Sequence, residues 1–416
     1  MIAARIRAEC SIRLCYDPGS MPVPLIDLRA QYEGLRHETE AAVRRVLESQ
    51  RFILGAEVEA LEGSVSRLTG ARHGIGCASG SDAILLAVAG VLETAGIPAH
   101  AAALGRPEKD APEVVTVPFT FFATAGSVVH AGARPRFVDI EPDAYGMDPD
   151  LAKRAIGPRT AALLPVHLFG QACDIDAIVG VAGAVPVIED AAQAIGATVE
   201  GSDGSRGAGS IGALGCLSFF PTKNLGAAGD AGMILTSDGA MAERLRRLRV
   251  HGGRQMYHHE SVGWNSRLDE LQAAVLNVKM ARLESWSRAR ASNAARYDAL
   301  LEERGLSPRG LVLPPARKPG RSHIFHQYVV RVPRQGARSR DGLRERLSAA
   351  GIGSGVYYPV PLHLQPCFSW LGCARGDFPA SERAANEVLA LPIYPELSPD
   401  QQTEVVREMA SYFGVS

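Results

Sequence analysis

Residues 217–232 read LSFFPTKNLGAAGDAG, an apolar run that ends abruptly in a turn carrying Lys223. Thirty-three residues before Lys223, the run VPVIED at residues 185–190 ends in Glu189 and Asp190. Short apolar runs bounded by Pro, Gly or Asp are typical of buried strands in parallel sheets. The sequence therefore predicts a lysine and two carboxylates at the ends of buried strands, where a lysine in a Gly-rich turn is positioned to react.

Similar runs recur along the first part of the chain and alternate with helical patterns. They are residues 73–77 and the segments EVVTVPF, ARPRFVDI, AALLPVHLFG, VPVIED, GCLSFF and AGMILTSD. This alternation predicts an α/β domain whose mostly parallel sheet is covered by helices on both faces. After about residue 255, a long helical pattern through residues 268–283 and a Pro/Arg-rich linker indicate a second, smaller α+β domain.

Composition limits the classes of function. The chain has 416 residues and a formal net charge of −1, which suits two domains with substantial cores. Lys and Arg are spread along the sequence, and no basic run is interleaved with aromatic residues, so we expect no nucleic-acid surface. We predict a large domain at residues 21–255 and a small domain at residues 256–416.

The seven cysteines contain no CxxC pair. This favours a reducing compartment over a disulfide framework or a zinc site, so we expect a cytoplasmic protein without a metal centre. The first twenty residues, MIAARIRAECSIRLCYDPGS, are broken by arginines and match neither a signal peptide nor a membrane span. We interpret residues 1–20 as an N-terminal extension that precedes a start at Met21.

Lys223 and Asp190 together favour a site for pyridoxal phosphate. This cofactor uses a lysine amine for covalent attachment and a carboxylate to keep its pyridine nitrogen protonated, so that the ring accepts electrons. Taken singly, Lys223 fits a solvated turn and Asp190 fits a helix cap. Their joint context favours the cofactor site.

Other candidates surround this pair. Gly80 and Ser81 start an apolar helix, where free amides favour a phosphate, although a plain helix cap explains the same letters. Ser218 lies on the strand leading to Lys223 and can add a hydroxyl to the same phosphate. In PFTFFATA, Phe121 is the predicted stacking ring. In that segment Thr120 or Thr124 marks a turn, and Phe119 and Phe122 are predicted core residues.

Further polar residues lie near the predicted strand ends and the long helix. Gln193 follows Asp190 by about one helical turn, so its amide can reach a cofactor ring oxygen, and a solvated Gln is the alternative. His167 ends the run AALLPVH at the sheet edge where ligands bind, although a lone histidine is more often a satisfied core residue. Asn265 and Arg267 lie at the start of the long helix, where Ser266 is a plausible cap.

The motifs of the chain, read together, resemble those of one family. They are PLIDLRAQY, RFILGAEVEALE, ASGSDA, TFFATA, the long segment from RPRFVDI to LFGQACDID, VIEDAAQAIGA, SFFPTKNLGAAGDAG, GWNSRLDELQAAVL and YYPVPLHLQPCF. The family is the pyridoxal phosphate-dependent sugar aminotransferases of the DegT/DnrJ/EryC1/StrS group, within the aspartate aminotransferase fold (fold type I). The resemblance covers nearly everything from Met21 onward and implies a mostly parallel seven-stranded sheet with a smaller α+β C-terminal domain.

The resemblance also implies roles for individual residues. Lys223 would bind the cofactor covalently, Asp190 would partner its pyridine nitrogen, and Gln193 would lie near its ring oxygen. Gly80, Ser81 and Ser218 would surround the phosphate, and Phe121 would stack on the ring. An Asn at the position of Asn265 reaches the phosphate of the neighbouring subunit in this family, which implies a homodimer. Candidate substrate contacts are His167, Arg267 and Tyr358.

Three features depart from the family pattern. The motif ASGSDA replaces the commoner Asn-Gly-Thr or Ser-Gly-Thr pattern, but Ser81 keeps a hydroxyl, so we expect phosphate binding to survive. The loop at residues 98–112 is longer than usual, which bears on substrate access, and the first twenty residues have no counterpart.

The implied reaction is amino transfer from L-glutamate, which becomes 2-oxoglutarate, to a nucleotide-linked keto sugar. The NSRLDELQAA form resembles members that act on 3-keto sugars, which favours a dTDP-linked 3-keto-6-deoxyhexose. A 4-keto substrate on dTDP or UDP stays open. A dehydratase of the family would carry histidine in place of Lys223, and a non-catalytic regulatory protein is the remaining alternative.

Overall fold

The computed structural model describes residues 23–97, 107–202, 204–255 and 257–415. The predicted extension at residues 1–20 lies outside the described residues, as does most of the predicted loop at residues 98–112. Within the described part of the chain, no helix is both long and apolar enough to cross a membrane.

Helices and strands alternate along the described chain. The helices are α1 (Leu28–Glu33), α2 (Arg36–Ser49), α3 (Ala56–Thr69), α4 (Gly80–Thr94), α5 (Phe122–His130), α6 (Pro149–Ala155), α7 (Ile175–Ala182), α8 (Gly239–Leu248), α9 (Glu270–Met280), α10 (Leu283–Glu303), α11 (Arg340–Ala349), α12 (Pro379–Glu387) and α13 (Pro399–Phe413). The strands are β1 (His73–Cys77), β2 (Glu113–Thr116), β3 (Arg134–Phe137), β4 (Thr160–Leu163), β5 (Ile188–Asp190), β6 (Thr198–Gly201), β7 (Gly204–Gly207), β8 (Leu214–Ser218), β9 (Gly232–Thr236), β10 (Gly253–Gln255), β11 (His258–His259), β12 (Tyr328–Arg331) and β13 (Val388–Leu391).

A central sheet organises the larger part of the molecule. Among the described residues, seven strands run in the order β3, β2, β4, β5, β8, β9, β1, and all are parallel except β9. The join between β4 and β5 consists of isolated bridges, such as Val166 with Asp190, rather than a regular ladder. The predicted mostly parallel, seven-stranded sheet is therefore confirmed.

Most strands of the sheet are short apolar runs that are buried on both faces, whereas β3 exposes Arg136. Every residue of β2 and β9 is buried, and most of α4 is buried against the strands beside it. An all-round apolar helix such as α4 is stable only inside a core.

The C-terminal part forms a smaller α+β unit. Strands β12 and β13 pair antiparallel, and α10, α11 and α13 contribute apolar side chains to the same core. Val23 also packs in this core and bridges Ile352. The long helix predicted through residues 268–283 is instead two helices, because α9 ends at Met280 and α10 begins at Leu283.

The sheet topology places the candidate site. Parallel strands present their carboxyl ends at one edge, which is where open α/β sheets bind ligands. Strand β5 ends there at Asp190 and β8 ends there at Ser218, while α4 begins three residues after the end of β1.

Candidate active site

Lys223 lies in a tight turn directly after β8. Its backbone N–H donates to the Phe220 carbonyl at 2.8 Å, and a Cβ on Gly226 would lie only 2.2 Å from the Pro221 oxygen. The turn therefore closes only with glycine at position 226. Burial lowers the pKa of Lys223 to about 8, while the nearby Asp190 opposes this shift. A substantial fraction of the amine is thus neutral and nucleophilic near pH 8.

A second lysine, Lys279, supports the same turn. Its Nζ donates to the Gly226 carbonyl at 2.7 Å, and burial lowers its pKa to about 8 as well. Lys279 is therefore engaged by the backbone, whereas within the described residues Lys223 Nζ makes no hydrogen bond. The two lysines share a depressed pKa, but Lys223 is the amine left open for chemistry.

Asp190 is a buried carboxylate, 5% exposed, at the end of β5. Its Oδ2 accepts a hydrogen bond from the Thr124 hydroxyl at 2.7 Å, and its Oδ1 accepts one from the Ala192 N–H at 3.2 Å. Burial raises the pKa of Asp190, while Thr124, the Ala192 N–H and Lys223 lower it. The protein thus holds the carboxylate with two donors and leaves further acceptor capacity on both oxygens.

Glu189 is completely buried on the opposite face of β5. Its carboxylate accepts three backbone N–H groups and faces a histidine ring nitrogen. The donors are Gly209 at 2.8 Å, Ile211 at 2.7 Å, Gly212 at 2.6 Å and His167 Nε2 at 2.8 Å. Because consecutive strand residues point to opposite faces, the two adjacent carboxylates lie in different surroundings.

The His167 side chain is buried rather than exposed at the edge of the sheet. The ring is fully buried, with Nε2 on Glu189 and Nδ1 accepting the Cys173 N–H at 3.0 Å. An Nδ1 that accepts a hydrogen bond carries no proton, so Nε2 donates to Glu189. Both ring nitrogens are used, which leaves neither for the predicted substrate contact.

Gln193 and Tyr358 meet near Asp190. Gln193 Oε1 accepts the Phe169 N–H at 2.7 Å, and its Nε2 donates to the Tyr358 hydroxyl at 3.2 Å. Burial raises the pKa of Tyr358, so its hydroxyl stays protonated and keeps its own proton to donate. The structure brings the predicted residues Gln193 and Tyr358 together.

Three phenylalanines follow β2 and have different surroundings. Phe119 is fully buried as predicted, whereas Phe121 is 55% exposed with its ring 6.0 Å from that of Tyr358. Phe122 is not a core residue: it is 46% exposed and its ring lies 5.6 Å from that of Phe368. Phe122 is the first residue of α5, and its ring lies over Gly126, where an added Cβ would come within 2.7 Å of it.

The predicted phosphate site lies where α4 meets β8. Ser79 caps the helix by accepting the Asp82 N–H at 3.1 Å. A Cβ on Gly80 would lie 2.5 Å from Ser218 Cβ, so only glycine allows this approach of the two segments. Ser81 is exposed in the first turn, where backbone N–H groups lack partners within the helix. Gly80, Ser81 and Ser218 therefore form a cradle suited to an anion.

The segment before α9 differs from its predicted form. Asp269, not Ser266, occupies the N-cap position of α9. The Ser266 hydroxyl instead donates to Asp82 Oδ2 at 2.8 Å and accepts the Ala78 N–H. Asn265 is exposed beside it and Arg267 is half-buried.

Sequence reasoning missed three connections of the site. Thr124 was interpreted only as a turn marker, Glu189 only as a strand end, and Asn224 not at all. Asn224 lies next to the catalytic candidate Lys223, donates to the Ile324 carbonyl and meets His326 Nδ1, both at 3.2 Å. Strand alternation was the available signal for Glu189, because it predicts that Glu189 and Asp190 face opposite sides.

Residues 34–410 match the sequence profile of the DegT/DnrJ/EryC1/StrS aminotransferase family. The chain belongs to this family. Three similar relatives each align with more than nine tenths of this chain. One is the "pleiotropic regulatory protein" of Geobacillus stearothermophilus, 46% identical over 94% of this chain and 99% of its own length.

The other two relatives are named as aminotransferases. The UDP-N-acetyl-3-dehydro-alpha-D-glucosamine 3-aminotransferase of Acidithiobacillus ferrooxidans is 42% identical over 91% of this chain and 95% of its own. The dTDP-3-amino-3,4,6-trideoxy-alpha-D-glucose transaminase of Streptomyces venezuelae is 42% identical over 92% of this chain and 94% of its own.

Solved structures of the family share the fold. The S. venezuelae protein DesV, solved in complex with a ketimine intermediate, superposes with a TM-score of 0.83 at 40% identity, over 94% of this chain and 98% of its own. A Bacillus subtilis protein solved with bound cofactor PMP gives a TM-score of 0.78 at 28% identity, over 93% of this chain and 83% of its own. The predicted family and fold type I are confirmed.

This DegT/DnrJ/EryC1/StrS member is accordingly a pyridoxal phosphate-dependent aminotransferase. The residues present suit the cofactor on structural grounds. An open lysine amine, a buried carboxylate with acceptor capacity and a glycine-lined helix start lie at one edge of the sheet. Groups of these kinds would hold its aldehyde carbon, its ring nitrogen and its phosphate.

Proposed function

We propose that this aminotransferase transfers an amino group to a 3-keto sugar carried on a nucleoside diphosphate. The observation that carries the proposal is the pairing of Lys223, whose pKa burial lowers to about 8, with the buried carboxylate of Asp190. A neutral amine and a negative charge at one sheet edge are what amino transfer on pyridoxal phosphate requires.

Each residue has a distinct part in the proposed reaction. When bound, pyridoxal phosphate supplies an electron sink for the charge that develops at the reacting carbon. Lys223 Nζ anchors the cofactor at rest and, once displaced by the donor amine, takes the proton from the donor α-carbon. Asp190 holds the proton of the ring nitrogen, and Phe121 covers one face of the ring.

We propose L-glutamate as the amino donor, which leaves as 2-oxoglutarate. The keto sugar then receives the amino group and a proton returned by Lys223 Nζ. We propose that Tyr358 contacts the substrate, because Gln193 donates to its oxygen and so leaves the hydroxyl proton available. We propose Arg267 as an anion-binding substrate contact, because it follows Ser266, which bonds Asp82 and Ala78 beside the start of α4.

The position of the keto group is supported by the names of similar proteins and by the sequence before α9. The A. ferrooxidans and S. venezuelae relatives are named for amino groups at carbon 3, one on UDP and one on dTDP. The form NSRLDELQAA points the same way. We propose a dTDP-linked 3-keto-6-deoxyhexose as substrate, with a 4-keto sugar on dTDP or UDP as the alternative.

A homodimer is part of the proposal. Asn265 is exposed, and two apolar side chains of the same segment, Val262 and Tyr257, are 71% and 86% exposed. We infer a protein interface at this segment from these exposed apolar side chains. We propose that a second copy of the chain covers it, so that Asn265 reaches the phosphate of the partner's cofactor. Light scattering should give the mass of a dimer.

Free cysteines support a reducing, cytoplasmic location for the enzyme. Within the described residues, Cys77, Cys173 and Cys216 are free and buried, and Cys367 and Cys373 are free nearer the surface. Free thiols of this kind are typical of proteins from reducing compartments.

The test is a visible absorption titration of the purified protein with pyridoxal phosphate. The bound cofactor band should bleach with L-glutamate and return when a keto sugar is added. Matched dTDP-3-keto, UDP-3-keto and dTDP-4-keto sugars identify the carrier and the carbon, and the dTDP-3-keto sugar should restore the band fastest. A band that bleaches and is restored by none of them would contradict the sugar assignment.

A regulatory function is the second candidate, because one relative is named a pleiotropic regulatory protein. Lys223 and Asp190 are both intact here, which a purely regulatory protein does not require. Specific DNA binding by a protein that takes up no cofactor would support this candidate over the enzyme.

A further inference from the structure

Two buried hydroxyls connect α5 to the carboxylate of Asp190. Thr124 Oγ1 lies 2.7 Å from Asp190 Oδ2, and Thr120 Oγ1 lies 2.9 Å from Thr124 Oγ1. Thr124 is completely buried and Thr120 is 2% exposed. Thr124 lies in the first turn of α5, and Thr120 directly precedes the N-cap residue Phe121, so the two side chains meet at the start of the helix. The pair therefore forms a buried chain of two hydrogen bonds that ends at Asp190.

The directions of these hydrogen bonds follow from the number of protons available. A threonine hydroxyl carries one proton, and an ionised carboxylate can only accept. The Thr124 proton is therefore committed to Asp190, so Thr120 must donate to Thr124. Two donors in series point at one carboxylate oxygen, and each polarises the next.

We propose that Thr120 and Thr124 act as a positioning relay that keeps Asp190 ionised and in place to hold the proton of the cofactor's ring nitrogen. The relay matters because burial favours the neutral form of this carboxylate. The ammonium of Lys223 opposes that tendency only while the amine is free. Once Lys223 binds the cofactor, Thr124 and the Ala192 N–H are the fixed donors on Asp190.

The test compares two cofactors on two matched variants, and it rests on the proposed role of Asp190. Thr124→Val removes the hydroxyl with little change in shape, and Thr124→Ser keeps it. One probe is pyridoxal phosphate, and the other is its carbocyclic analogue, in which a C–H group replaces the ring nitrogen. The measurement is the dissociation constant of each probe for the apo protein, so it requires no turnover.

Thr124→Val should weaken pyridoxal phosphate about tenfold, as expected for one hydrogen bond to a charged group, and leave the analogue within about twofold. Thr124→Ser should bind both probes within about twofold of wild type. Equal losses for both probes, or no loss for pyridoxal phosphate, would overturn the relay, because a merely structural threonine cannot distinguish the probes.

Two further variants keep the outcomes separate. Thr120→Val leaves the Thr124 hydroxyl on Asp190 and should weaken pyridoxal phosphate by about threefold, again without an effect on the analogue. No selective loss in this variant would overturn the relay even if Thr124→Val failed to fold. Asp190→Asn tests the assumption that Asp190 partners the ring nitrogen, and it should weaken pyridoxal phosphate more than the analogue. Equal changes in the two dissociation constants would refute this assignment of Asp190, and with it the proposed function of the carboxylate.

Discussion

Glu189 and Asp190 end the same strand one residue apart, yet the fold uses them differently. Glu189 is surrounded by donors that the protein itself supplies, so its charge is compensated within the fold. Among the described residues, the Asp190 side chain receives only the Thr124 hydroxyl and the Ala192 N–H, and it faces Lys223. A buried carboxylate with acceptor capacity left over is a functional candidate, whereas a fully satisfied one supports the structure.

The same contrast separates two partly buried lysines, Lys223 and Lys279. Lys223 and Lys279 both have a pKa lowered to about 8, but the Lys279 amine donates to the Gly226 carbonyl. A perturbed pKa by itself therefore does not identify the catalytic group. The hydrogen bonds that a group does not make within the fold distinguish function from support.

The largest effect should come from replacing the open lysine. Lys223→Ala should keep the fold, bind the cofactor noncovalently and lose turnover by about 10⁴-fold, because both the anchor and the proton carrier are gone. Steady-state amino transfer measures this loss. The matched variant Lys279→Ala should lower the thermal midpoint but keep at least about a tenth of the turnover. Normal turnover in Lys223→Ala would contradict the assignment.

The second effect is on stability, on the face of Glu189. Each carboxylate oxygen of Glu189 accepts two N–H donors. In Glu189→Gln, either orientation of the amide therefore places its NH₂ group against two of these donors. Denaturant unfolding of the apo protein should show a loss of about 3 kcal/mol. An unchanged unfolding midpoint would show that the donors around Glu189 rearrange at little cost.

The third effect is on chemistry, on the face of Asp190. Asp190→Asn keeps an oxygen that can accept the Ala192 N–H, and the Thr124 hydroxyl can turn to accept from the new amide. We expect its stability to change by less than about 1 kcal/mol, and its rate of amino transfer to fall about 10²-fold, because the ring nitrogen loses its anionic partner. Single-turnover rates with L-glutamate measure this. Equal losses in stability for Glu189→Gln and Asp190→Asn would contradict the difference between the two faces of β5.

The smallest effect is a pH dependence of cofactor attachment. Burial disfavours the charged form of Lys223 and lowers its pKa from an ordinary 10.5 to about 8. The neutral amine is the nucleophile, so the attachment rate of the apo protein should rise with pH and level off above about pH 8. Stopped-flow absorbance follows this rate. A rate that still rises near pH 10 would show an amine with an ordinary pKa.

The same shift predicts how the stability of the apo protein depends on pH. The folded pKa lies below the unfolded one, so between about pH 8 and 10.5 the unfolded state binds more protons from this group. The contribution of Lys223 to stability therefore increases as pH rises through that window and is lost as pH falls through about 8. The difference between wild type and Lys223→Ala isolates it.

Much of the fold could be predicted from short-range patterns. The seven apolar runs became the seven strands of the central sheet because continuous burial leaves a clear signal in each run. The order of the strands at one edge then brings Asp190, Ser218 and Lys223 together. The need for glycine at position 80 was also predictable, because a turn before an apolar helix needs a residue that lets another segment approach its backbone closely.

The misses share a physical cause, which is dependence on contacts distant in sequence. The partners of Glu189 come from the turn at residues 209–212, and no periodicity reports the path of that turn. Ser266 bonds Asp82, which lies 184 residues away, rather than capping the helix beside it. The burial of His167 likewise follows from where Cys173 and Glu189 lie in the fold.

The central claim is that Lys223 is the amine that binds the cofactor. The most direct measurement is to reduce the pyridoxal phosphate-loaded protein with borohydride, digest it and locate the added mass by peptide mass spectrometry. We expect the cofactor on the peptide that contains Lys223, with Lys279 unmodified. Cofactor on Lys279 or on another lysine, with Lys223 unmodified, would contradict it.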